Sequence, residues 1–93
     1  MILFDYYLIA YDIANPKRLA KVSKFLEGYL RRMQKSVFQG ELTASQITIV
    51  RDGLKDIIDQ NEDSVMIYPL TKQNLLAVET IGIETWVDDF IIG

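Results

Sequence analysis

The chain contains neither cysteine nor histidine, and these two absences exclude more chemistry than any single residue present suggests. Without cysteine there is no disulfide, no thiolate nucleophile and no cysteine-ligated zinc, a composition that fits a cytoplasmic protein. Without histidine there is no imidazole base, no imidazole metal ligand and no triad built on one. Any acid–base step therefore falls to carboxylates, Tyr, Lys or a metal-activated water. Long hydrophobic runs are also missing. Although 49% of the residues are hydrophobic, no apolar run approaches the roughly 18 residues needed to cross a bilayer. Met1 to Asp5 shows no basic start or small-residue cleavage site. The expectation is a soluble cytoplasmic domain with no membrane partner.

At 93 residues the chain is expected to be a single domain spanning residues 1–93. A domain of this size buries only roughly 60–65% of its unfolded surface, so further stabilisation from a second protomer is expected. Charge is distributed unevenly. The net charge is −3, yet seven of the ten basic residues lie between Lys17 and Lys35, where Glu27 is the only acid. A local positive field on an acidic chain marks a binding surface for an anionic partner. Nucleic-acid binding would then be confined to this region.

The run from Leu3 to Ile13 is rich in aromatic and branched residues on both faces and predicts a central strand. Alternation places Asp12 on the same face as Tyr6, Leu8 and Ala10. Asn15-Pro16 reads as a helix start, with the amide capping free N–H groups and proline at the first helical position. Leu19, Val22, Leu26 and Tyr29 then form a core stripe, and Gly28 suits a left-handed C-cap. From Arg31 to Gln39 the period changes to two, predicting one strand that Gly40 terminates. Thr43 and Gln46 form a capping box for a second helix with Ile47, Val50, Leu54, Ile57 and Ile58 inward. Ser64 to Tyr68 reads as a third strand ended by Pro69, and Leu75 to Glu79 as a short fourth. The expected architecture is α+β, a ferredoxin-like β-α-β-β-α-β sandwich. Trp86 to Ile92 remains as a surplus apolar strand. The expectation is that the segment 84–93 pairs with the sheet of a partner protomer in a homodimer.

Five ordered pieces carry a resemblance: Tyr11-Asp12-Ile13, Asn15-Pro16-Lys17-Arg18-Leu19, Lys24-Phe25-Leu26-Glu27-Gly28-Tyr29, Gln34-Lys35-Ser36-Val37-Phe38, and Ser64-Val65 through Ile67-Tyr68-Pro69-Leu70. With the ending Asp88-Asp89-Phe90-Ile91-Ile92, they closely resemble the CRISPR-associated Cas-two family over almost the whole chain. One departure is Leu30-Arg31-Arg32-Met33, where members often show a glycine after the tyrosine and a valine before the glutamine. The resemblance implies a ferredoxin-like homodimer that bridges two integrase dimers during CRISPR spacer acquisition. It also implies metal-dependent endonuclease activity on RNA or DNA, with Asp12 of each protomer facing the other across the two-fold and holding Mg2+. Tyr11, Arg18, Arg32, Ser36 and Phe38 would support the site or contact substrate.

The residues themselves leave alternatives open. A strand-end aspartate such as Asp12 commonly accepts N–H bonds from the following turn. Magnesium, by contrast, needs oxygen ligands and often takes one or two carboxylates plus water and phosphates. Lys21 and Lys24 fit a solvated helix face, whereas Arg18, Arg31, Arg32 and Lys35 bracket the helix start and the following strand, close to where Asp12 must lie, and suit phosphate contacts. The function classes that remain are a metal-dependent nuclease on duplex DNA or single-stranded RNA, a structural DNA-binding adaptor without nuclease activity, and a related ribonuclease toxin.

Overall fold

The computed structural model describes residues 4–83. Its elements run β1 (Phe4–Asp12), α1 (Pro16–Glu27), β2 (Arg31–Gln34), β3 (Val37–Thr43), α2 (Ala44–Ile57), β4 (Ser64–Leu70) and α3 (Lys72–Leu76). The four strands form one antiparallel sheet in the order β2-β3-β1-β4, with β1 central as its two-sided apolar pattern requires. Both long helices cover one face. Tyr7, Ile9, Tyr11, Phe38 and Leu42 from the sheet pack in one core with Val22 and Leu26 of α1 and Ile47, Val50 and Leu54 of α2. This is the ferredoxin-like sandwich. Among the described residues, no helix is long and apolar enough to cross a membrane.

The helix starts follow local chemistry. Asn15 Oδ1 accepts from the amides of Lys17 and Arg18 at 2.8 and 3.0 Å. Thr43 and Gln46 close both halves of their capping box. The helices approach closely because α2 carries Gly53 against Phe25. A Cβ there would fall 2.2 Å from Phe25 Cζ, so any larger residue would force that ring out of place.

Several expectations change. The stretch Arg31–Gln39 is two strands, a hairpin turning at Lys35-Ser36, with a register shift between Arg32 and Gln34. That irregularity, on a strand that pairs only with β3 among the described strands, is why neither face of the segment reads as apolar. Gly40 continues β3 opposite Tyr7, beside Leu30, where a Cβ would meet Leu30 Cδ2 at 3.2 Å. Gly28 is right-handed, at φ −75° and ψ −11°. The third predicted strand extends through Pro69 to Leu70, tolerable because β4 pairs only with β1 among the described strands. Leu75–Glu79 is not a strand. Thr71 Oγ1 accepts the Asn74 amide at 3.1 Å and starts the short α3 in its place. The expected partner-exchanged segment, 84–93, lies outside the described residues.

Candidate metal and nucleic-acid site

Alternation along β1 splits its last two residues between the faces of the sheet. Tyr11 turns toward the helices and is buried, whereas Asp12 is exposed on the open face. The register aligns Asp12 with Ser64, Ala10 with Val37 and Met66, Leu8 with Gln39 and Tyr68, and Tyr6 with Glu41 and Leu70. The open face is thus an apolar field with Asp12 at one end. Met66 and Tyr68 are 55% and 43% exposed. At the other end, the Glu41 carboxylate raises the Tyr6 phenol above its ordinary value.

Asp12 does not cap its turn. Among the described residues no donor reaches its carboxylate; the turn amide of Ala14 donates instead to Asp63 Oδ1 at 2.9 Å. The role open to a strand-end aspartate is filled by a different acid, and both Asp12 oxygens are left for ligands from solvent. An exposed carboxylate of this kind fits a hard cation, but one protomer provides only this one. No group of three or more acids that could hold a metal occurs among the described residues. The residues therefore fit magnesium only as a site completed by substrate, water or a second copy of the chain.

The structure gathers Tyr11, Arg32, Lys35, Ser36 and Phe38 around the hairpin turn. The Tyr11 ring stacks on Phe38 with centroids 6.2 Å apart, and the Arg32 guanidinium lies 5.1 Å from the centre of the Phe38 ring. Arg32 also donates to Ser23 Oγ, to the Lys35 carbonyl at 3.1 Å and to Glu27 Oε2 at 3.2 Å. The Tyr11 amide donates to the Ser36 carbonyl at 3.1 Å, and its hydroxyl donates to the Lys35 carbonyl at 3.5 Å. The Tyr11, Arg32 and Phe38 side chains lie across the sheet from the Asp12 carboxylate. Their joint effect is to fix the turn beside it, since continuing the β1–β3 register brings Lys35 alongside Asp12.

Arg18 is held elsewhere. It forks onto Asp63, Nε to Oδ2 at 2.7 Å and Nη2 to Oδ1 at 3.2 Å, and reaches Glu62 at 2.9 Å. Asp63 itself is buried, with no exposed side-chain surface. The positive block is thus sorted by the fold. Arg18 and Arg32 are paired with acids, while Lys17, Lys21, Lys24, Arg31 and Lys35 make no ion pair among the described residues.

The family model described as CRISPR associated protein Cas2 matches residues 5–78. The chain belongs to the Cas2 family. It is 44% identical over 79 residues to a Pyrococcus furiosus protein named CRISPR-associated endoribonuclease Cas2, covering 85% of this chain and 89% of that one. The crystal structure of Streptococcus pyogenes Cas2 superposes with a TM-score of 0.77 at 35% identity, covering 83% of this chain and 99% of that chain. A chain of a partial Cas6-RT-Cas1–Cas2 complex superposes at 0.70 with 31% identity, covering 83% of this chain and 84% of that chain.

In this Cas2-family chain, sequence reasoning missed Asp63, placed in a turn because nothing local marks its partners. Only a predicted pairing of Asp12 with Ser64 would have brought it to the site. Asp63 also sets an acid response. The Arg18 guanidinium, more than the Asp59 and Ala14 amides, holds its carboxyl well below the usual carboxylate range, outweighing the opposing effect of burial. A depressed folded-state value contributes stability above the unfolded value near ~4 and loses it as pH falls through the folded value. Denaturant titrations of wild type and Asp63→Asn should therefore differ most at pH 7, and the gap should narrow steadily as pH falls below about 4. A gap that stays constant with pH would contradict this.

Proposed function

We propose that this chain acts as a homodimer in CRISPR spacer acquisition, bound to duplex DNA alongside integrase subunits. We further propose that the paired Asp12 carboxylates support magnesium-dependent phosphodiester hydrolysis. The observation that carries the hydrolytic part is Asp12, an exposed carboxylate relieved of any structural bond by Asp63. The endoribonuclease name of the Pyrococcus furiosus relative and the assembly containing the 31% identical chain support the two roles. The exposed apolar column of the open sheet face supports association through that face, which brings Asp12 of each copy toward the two-fold.

Magnesium held there would supply an activated water and offset charge developing on the phosphate. The chain's own groups do the rest. Arg31 and Lys35 offer cationic contacts to phosphate oxygens on either side of the hairpin. Tyr11 and Phe38 keep the turn from moving and contact no substrate, because both are buried. With no histidine in the chain, the proton released by the attacking water passes to carboxylate or solvent.

The test is purified protein on labelled RNA and duplex DNA with magnesium or with chelator. Cleavage that needs the metal is the expected result. Tight duplex binding with no cleavage of either substrate would leave the structural adaptor. In the same assay Arg31→Glu and Lys35→Glu should each weaken duplex binding about tenfold near 0.1 M salt and flatten its salt dependence, because each removes a phosphate contact. Arg51→Glu and Lys55→Glu, on α2, should leave it nearly unchanged. Equal losses from both pairs would place binding off the basic block.

A further inference from the structure

We infer that Asp63, locked by Arg18, is a positioning residue that holds the backbone around Asp12; this rests on the reading of Asp12 as the metal-holding carboxylate. The geometry ties three segments to one buried carboxylate. Oδ1 accepts from the Ala14 amide at 2.9 Å and from Arg18 Nη2 at 3.2 Å. Oδ2 accepts from the Asp59 amide at 2.9 Å and from Arg18 Nε at 2.7 Å. Ala14 lies two residues beyond Asp12, and Ser64, next to Asp63, is the residue aligned with Asp12 across the β1–β4 ladder. One carboxylate therefore fixes Asp12 from along the chain and from the neighbouring strand.

Such fixing has a specific use at a two-fold. Two exposed carboxylates brought together repel until a cation joins them, and on a loose loop they would splay apart. A metal site needs its ligands held to a fraction of an ångström by groups that do not themselves bind the metal. Asp63 meets that second condition because its oxygens are saturated by four donors and its charge is matched by Arg18. It cannot compete with Asp12 for the cation. Arg18 is thereby drawn away from phosphate contact, and its planar fork, which lysine lacks, is what the carboxylate requires.

The experiment compares wild type, Asp12→Asn, Asp63→Asn and Arg18→Lys as full-length dimers, checked as folded by circular dichroism at 20 °C. Mn2+ affinity is measured by electron paramagnetic resonance and amide exchange is followed over residues 12–15. Asp63→Asn is expected to lower Mn2+ affinity about tenfold or more, with faster exchange at Ala14, and to regain cleavage at raised magnesium. Asp12→Asn should not regain it. Arg18→Lys, milder because it keeps the charge, should show the same effects at smaller size and keeps the test open if Asp63→Asn fails to fold. Folded variants with wild-type Mn2+ affinity and unchanged exchange at 12–15 would overturn the inference. A wild type that binds no Mn2+ would instead sink the metal reading of Asp12, and the exchange data would still decide whether Asp63 holds that backbone.

Discussion

Asp12→Asn is expected to lower magnesium-dependent cleavage by about a thousandfold or more while duplex affinity stays within about twofold, since no phosphate contact is lost. The substitution keeps the side-chain shape and removes the charge that would hold the cation. In a homodimer it removes that charge twice, because each copy contributes the same residue. Stability should barely change. The Asp12 side chain is exposed and no described donor reaches it, so the melting temperature should stay within about 3 °C of wild type. Cleavage rates with and without metal, filter binding and a thermal melt together make the check. Retained metal-dependent cleavage by a rigorously purified variant would point to the structural adaptor, with hydrolysis arising at another site.

The second large effect is expected on the open sheet face. Leu8 is the centre of that field, aligned with Gln39 on β3 and Tyr68 on β4. Leu8→Glu leaves the protomer able to fold, because the new carboxylate is solvated as long as the face is free. In a dimer closed through this face, two such charges would be buried near the axis without partners, and each breach costs several kcal/mol. The dimer dissociation constant should rise by about a thousandfold or more, seen as a monomer by sedimentation at micromolar concentration. Hydrolysis should fall with it, since the two Asp12 residues would no longer meet. A stable Leu8→Glu dimer would mean that association uses another surface.

What could be read from the sequence was whatever depends on near neighbours. Asn15 with Pro16, and Thr43 with Gln46, announce helix starts because cap and capped amides lie within three residues. The central place of β1 followed from apolar residues on both its faces. The hairpin at Lys35-Ser36 did not announce itself, having no Gly or Asn to mark the turn, and the register shift at Met33 left neither face of the period-two segment apolar. Thr71-Asn74 was a cap signal overlooked in favour of the apolar pattern after Leu75. At the site, Asp12 and the positive block were legible as types of residue in a place. Which cations remain available was not, because Arg18 finds Asp63 45 positions later, across a strand pairing that the one-dimensional pattern does not encode. Glu27, visible as the lone acid in the block, is the partner of Arg32.

The division of Tyr11 and Asp12 between the two faces of the sheet has a consequence for how this protein can change over generations. Inserting or deleting one residue between Tyr6 and Ala10 would slide β1 by half a pleat, sending Asp12 beneath the helices and Tyr11 out onto the open face. The stack on Phe38 and the carboxylate on the opposite side would be lost in one event. Length variation within β1 should therefore be absent among functional descendants.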